Sequence, residues 1–91
     1  MALYYGKHKV ADYNAWRPFF DADEANRQEA GAEVVNVMQS SSDPNEVHFI
    51  FDIANLDQFM GFVTSDKMKE IMHQGGVLEA PTMYKMEALH P

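Results

Sequence analysis

Val47-His48-Phe49-Ile50-Phe51-Asp52-Ile53 alternates with a period of two. Val47, Phe49, Phe51 and Ile53 share one side and are all apolar, whereas His48, Ile50 and Asp52 share the other. Period two in β-branched and aromatic residues reads as a β-strand with one fully apolar face. That face requires cover, and the two best amphipathic stretches of the chain lie on either side of it in sequence. The opposite face, with a His, an Ile and an Asp, suits neither water alone nor a dry core alone. The stretch is therefore read as a central strand of a small sheet.

Immediately upstream, Ser42-Asp43-Pro44-Asn45 is a turn, with Asp and Pro at the corners where a type I turn favours them. Residues 33–41 before it, with Val34, Val35, Val37 and Met38, read as a second strand, so the two form an antiparallel hairpin. Downstream, Asn55 with Gln58 three residues on resembles a capping box. Leu56, Phe59, Met60 and Val63 then follow helical spacing. Thr64-Ser65-Asp66 interrupts and caps again, Met68, Ile71 and Met72 carry a further helical face, and Gly75-Gly76 ends it. Pro81 opens a last strand over residues 82–89. At the other end, residues 3–10 read as a first strand with Tyr4, Gly6, His8 and Val10 on one face. Asp12 is an N-cap, and Tyr13, Trp16 and Phe20 recur at helical spacing. Pro18 sits badly in one continuous helix. Either the first turn is separate and Pro18 sits in the first turn of the main helix, or the helix kinks there. The favoured expectation is a short turn followed by a helix to about Ala30, with Gly31 as its left-handed stop.

The order strand, helix, strand, strand, helix in two pieces, strand predicts an α+β, ferredoxin-like βαββαβ fold. Right-handed crossovers place both helical segments on one face of a four-stranded antiparallel sheet. The other sheet face, carrying Tyr5 and Ile50, is left to solvent or to a second sheet. Two such sheets packed face to face make a dimeric α/β barrel, so a homodimer is expected. The 91 residues are read as one domain spanning 1–91. A chain of that size buries only about 60–65% of its unfolded surface and gains from pairing.

Composition narrows the partners. The net charge is −7 with seven basic residues scattered along the chain, which argues against nucleic acid and anionic membrane as partners, since both are bound through Lys and Arg. Hydrophobic residues make up 46% and aromatic residues 12%, enough for a core. Without cysteine, thiolate catalysis and Cys-based zinc are excluded. No apolar run approaches the roughly 20 residues of a membrane span. No signal-peptide pattern opens the sequence, and a cytoplasmic location is expected.

Several strings carry a resemblance. They are His8-Lys9-Val10-Ala11-Asp12-Tyr13, Trp16-Arg17-Pro18-Phe19-Phe20-Asp21, Arg27 before Gly31, and Asp43-Pro44-Asn45-Glu46-Val47. Phe62 with Ser65, Met72 before Gly76-Val77, and Pro81 ahead of the last strand extend it. Together they resemble small, uncharacterised proteins of the dimeric α/β-barrel superfamily, relatives of the antibiotic-biosynthesis monooxygenases and cyclases. The resemblance implies a ligand pocket between sheet and helices, and oxygenation, cyclisation or isomerisation without metal or organic cofactor. The segment Asn55-Leu56-Asp57-Gln58-Phe59-Met60 departs from the pattern, which expects a more charged helix there.

Candidate site residues follow from both readings. His8, if its face looks toward the helices, lies under Trp16 and can move protons near neutral pH; otherwise it is a strand histidine with a local partner. His48 is expected on the opposite face, and Asp52 is the only carboxylate inside the central strand, a base if either histidine is near. These three are the catalytic candidates. Trp16, Phe20, Phe62, Met68 and Met72 line a pocket or simply fill a core; methionines make such a lining adaptable. Arg27 either pairs with Asp23 or stands at the pocket rim to hold a carboxylate or phenolate. Tyr84 is expected to point its hydroxyl into the same space. His73 near a helix C-terminus and His90 near the end of the chain need no ligand. No two histidines stand at metal-binding spacing, so no metal site is expected. Two functions remain open: an enzyme acting on a small aromatic or polyketide-like molecule, and a non-catalytic ligand-binding or accessory dimer. A third, haem degradation or peroxidase-like chemistry, also occurs in the superfamily that the chain resembles and needs a properly placed proximal histidine.

Overall fold

In the computed structural model, which describes residues 2–79 and 81–89, eight elements follow one another. They are β1 (Ala2–Lys9), α1 (Tyr13–Ala22), α2 (Glu24–Glu29), β2 (Ala32–Gln39), β3 (Glu46–Ile53), α3 (Leu56–Val63), α4 (Asp66–Gln74) and β4 (Thr82–Met86). The strands form one antiparallel sheet in the order β2-β3-β1-β4. This is the α+β, ferredoxin-like arrangement, and β3 and β1 are its two central strands.

The alternation in β3 is the organising feature. Val47, Phe49, Phe51 and Ile53 are buried, and the residues between them are half-buried. Each fully buried side chain of this size contributes about 1.5–3 kcal/mol relative to exposure. Tyr4, Gly6 and His8 of β1 lie on the same, helix-covered side. Trp16 of α1, Phe59 of α3 and Met68 of α4 are the residues of those helices that bury most completely over this side.

Local signals act as the chemistry requires. Asp12 caps α1 by accepting from the Asn14 N–H at 3.0 Å. Asn55 caps α3 through the Gln58 N–H at 3.0 Å, and Ser65 caps α4 through the Met68 N–H at 3.3 Å. The box at Asn55 is only half made, because the Gln58 side chain donates instead to the Glu29 carbonyl at 3.2 Å. In the β2–β3 turn the Glu46 N–H reaches the Asp43 carbonyl at 3.1 Å, with Pro44 at the corner. Gly31 and Gly76 have φ of 84° and 82°, a left-handed conformation that only glycine adopts without strain.

Three expectations are corrected. Pro18 does not separate a short turn from the main helix: α1 runs through it, and the break comes at Asp23. Pro18 and Asn14 are both exposed, so the Asn14 carbonyl that loses an intrahelical donor faces water. β4 stops at Met86 rather than continuing to residue 89. β2 is interrupted by a register shift between Val34 and Asn36, which strict alternation does not encode. The expectation for His90 lies outside the described residues.

Candidate functional site

A cavity of about 100 Å³ lies between the helix-covered face of the sheet and the four helices. β1 contributes His8, β3 contributes Phe49 and Phe51, and β4 contributes Met83. Helices supply Trp16, Phe20, Arg27, Phe59, Phe62, Met68 and Met72, and the break between α1 and α2 supplies Asp23. An aromatic row connects these walls. Trp16 and Phe20 have ring centres 4.8 Å apart, Phe49 and Phe51 are stacked at 4.7 Å, and Phe59 meets Phe51 edge-on at 5.7 Å. Phe19 of α1 and Met60 of α3 belong to the lining yet are exposed.

Polar groups are few, and each has a distinct state. His8 is 5% exposed and packs edge-to-face on Trp16 and Phe49, each at 5.5 Å between ring centres. Neither of its ring nitrogens has a hydrogen-bond partner among the described residues. Burial pushes its pKa down to about 4, because the desolvated imidazolium is disfavoured. At neutral pH it is a neutral ring with one donor and one acceptor, both unused.

Arg27 is 6% exposed. Its guanidinium lies over the Phe20 ring at 3.8 Å, and Nη1 donates to the Phe20 carbonyl at 2.7 Å. Its Nε has no partner among the described residues. Burial pulls its pKa below the ordinary value, and the charges of Asp23, Glu24 and Asp21 oppose that shift. The expected pairing with Asp23 is not made as an ion pair within 4 Å. Asp23 caps the end of α1 and accepts instead from the Asn26 amide at 2.7 Å, which turns its carboxylate toward α2.

The structure divides the remaining candidates. Trp16, Phe20, Arg27, Phe62, Met68, Met72 and His8 come together around the cavity. Tyr84 does not: it is 52% exposed on the uncovered sheet face, pairs with Tyr5 across the strands and stacks on it at 6.2 Å. Met83, one residue earlier, takes the inward position opposite Gly6. A strand with methionine at both parities does not announce which side turns inward. His48 and Asp52 also lie on the uncovered face, about 13 Å apart along β3. Neither can meet His8, so the three catalytic candidates do not form one constellation. Asp52 makes no ion pair among the described residues and borders a shallow depression with Glu33 and Ala54.

Two features escaped the sequence. Phe49, Phe51 and Phe59, which read as plain core, are cavity wall. On the uncovered face, His48 hydrogen-bonds the Tyr5 hydroxyl through Nδ1 and Glu46 Oε1 through Nε2, the latter at 2.8 Å. Glu46 and His48 are two apart and so share a face, but Tyr5 joins them diagonally across the β1–β3 pair, a relation set by register alone. Among the described residues no cluster of His, Cys, Asp and Glu has metal-ligand geometry, and no helix is long and apolar enough to cross a membrane.

No family model matches the sequence, and no curated protein matches it. Solved structures do match. A Bordetella bronchiseptica protein provisionally assigned as an antibiotic biosynthesis monooxygenase aligns over 98% of this chain and 97% of its own, with a TM-score of 0.76 and 15% identity. One from Nitrosomonas europaea, with the same provisional assignment, covers 99% and 100% with a TM-score of 0.65 at 12% identity. A third, from Caulobacter crescentus, covers 98% and 90% with a TM-score of 0.64 at 18% identity. At these identities the likeness is one of fold: the chain has the ferredoxin-like fold of the antibiotic biosynthesis monooxygenase-like proteins.

Proposed function

We propose that this protein binds a small aromatic or polyketide-like molecule in the cavity beneath α1 and α3, and acts on it as a cofactor-independent oxygenase, cyclase or isomerase. The observation that carries this reading is His8, a buried neutral imidazole with both nitrogens unused in a largely apolar wall. An unsatisfied buried polar group costs about 1–3 kcal/mol, a cost that a ligand hydroxyl or carbonyl removes. In this reading His8 accepts the proton of a ligand O–H or activated C–H. The resulting imidazolium is unfavourable alone in the cavity but is stabilised by the ligand anion formed beside it. For an oxygenase, O₂ is the oxidant that the ligand anion then reduces. The fold neighbours support the class by analogy of fold, which by itself does not determine chemistry.

The second reading, a binding protein without turnover, is favoured by one specific observation: an imidazole whose pKa is near 4 is a weak base. Oxygen uptake and substrate absorbance with a panel of single-ring phenols, set beside ligand affinity, separate the two. His8→Ala is expected to abolish turnover and weaken binding, and His48→Ala to change neither in a single protomer's cavity. Binding in the parent with no turnover of any compound leaves the binding protein and removes the enzyme.

The same reading includes self-association. Val35, Met38, Tyr84 and Met86 are large, exposed and apolar, and Ile50 lies among the residues of the uncovered sheet face. A second copy is the occupant that suits this surface, since an isologous pairing covers the same patch on both protomers.

A further inference from the structure

The cavity holds two unsatisfied polar side chains, and they differ in kind. His8 offers a neutral donor and acceptor, whereas Arg27 offers a fixed cation with a free Nε. Both are more than nine-tenths buried. They are separated by two aromatic rings: His8 meets Trp16, Trp16 packs on Phe20, and the Arg27 guanidinium lies over Phe20. A buried guanidinium without a carboxylate in ion-pair contact is costly, because the more distant charges of Asp23, Glu24 and Asp21 and the contacts with Phe20 offset its desolvation only in part. The one carboxylate of the lining, Asp23, is engaged by Asn26 and stays beyond 4 Å. Phe20 also receives the Asp23 N–H on its carbonyl at 3.2 Å, so the helix end does not depend on Arg27 for its cap.

Volume restricts what can fill the cavity. An engineered cavity of about 150 Å³ accommodates benzene, and this one is about 100 Å³. Met68, Met72 and Met83 stand in its wall, and methionine is adaptable enough to yield to one ring with small substituents. A fused polycyclic skeleton would require the aromatic walls themselves to part.

Taking the cavity as the ligand site proposed above, we infer that its ligand is a single-ring aromatic carboxylate, held by its carboxylate at Arg27. The carboxylate supplies the ion-pair partner that Arg27 lacks, and the apolar remainder of the lining takes the ring. Charge-assisted pairing of this kind is the stronger class of hydrogen bond.

Trp16 is the only tryptophan of the chain, so its emission reports occupancy of the wall it forms. The full-length protein is titrated at pH 7 with 4-hydroxybenzoate, its methyl ester, benzoate and phenol, and affinities are confirmed by calorimetry. The acid is expected to bind at least about tenfold more tightly than its ester, since a hydrogen bond to a charged group contributes about 1.5–3 kcal/mol. Arg27→Met is expected to erase that preference, and Asp23→Asn to strengthen it by removing the competing negative charge. Ester and acid binding equally to the parent protein overturns the assignment of Arg27 while leaving the cavity as an aromatic site. Tighter binding of phenol or ester than of the acid overturns it as well. Failure of every compound to change Trp16 emission or release heat at millimolar concentration removes both this inference and the ligand site on which it rests. The parent's acid-to-ester ratio decides the matter even if Arg27→Met does not fold.

Discussion

Phe49 lays its ring over the backbone of Gly6, its cross-strand partner, so closely that a Cβ on Gly6 would fall within 3.0 Å of ring carbons. The contact joins the two central strands beneath the cavity, and Met83 of β4 closes on the same point. Glycine is needed here for space, not for an unusual backbone angle. Gly6→Ala is expected to push Phe49 toward the cavity, to lower stability by about 1–3 kcal/mol as overpacking does, and to weaken ligand binding. Urea unfolding followed by Trp16 emission measures the first, and the same titration as above measures the second. An unchanged midpoint would show that the ring yields without cost.

His8 makes stability depend on pH. Its folded-state pKa is lowered to about 4 from 6.5, so between these values the unfolded chain binds more protons than the folded one. Stability from this group is therefore present above about pH 6.5 and is lost as pH falls toward 4, by roughly 3 kcal/mol in total. His8→Phe is expected to flatten this part of the profile and to leave stability at pH 7 unchanged or higher, since it removes two unsatisfied polar atoms and keeps the ring packing. Unfolding midpoints from pH 4 to 8 for both proteins test this, and a parallel acid loss in the variant would assign the effect to another group.

Arg27 is expected to matter for binding and little for folding. Arg27→Met keeps the apolar stem, removes an unpaired buried charge and leaves the Phe20 carbonyl with the Asp23 N–H. The expected change in stability is under about 1 kcal/mol. A loss several times larger in denaturant melts would instead make Arg27 a structural keystone of the α1–α2 break.

The uncovered sheet face supplies a test of self-association. Ile50 sits at its centre, paired on one side with Tyr5 and on the other with Asn36. Ile50→Glu is expected to turn a dimeric species into a monomer in sedimentation equilibrium while leaving the fold intact, since the substituted side chain points away from the core. A parent that is monomeric at all accessible concentrations would refute the pairing outright.

The fold was legible because its signals are local or periodic. The alternation of residues 47–53, the caps at Asp12, Asn55 and Ser65, the Asp43-Pro44 corner and the stop at Gly31 each act within a few residues. Together they indicate element type and order and the apolar face of β3. The place of His8 under Trp16 is conditional in the sequence on which face of β1 meets the helices, and the structure supplies that face. Pro18 was misread because its effect depends on solvent access to a carbonyl four residues earlier, which propensity does not encode.

Tertiary structure alone decided the rest. Whether Tyr84 or Met83 turns inward depends on the register of β4 against β1, and both parities of that strand look alike in sequence. Whether Arg27 pairs with Asp23 depends on Asn26 reaching the carboxylate first, a matter of side-chain geometry at a helix break. The Tyr5–His48–Glu46 chain and the cavity itself arise from residues brought together across strands and helices. Short-range patterning specifies which face of each element is apolar; the void left among those faces, and the polar atoms stranded in it, depend on how side-chain volumes meet in three dimensions.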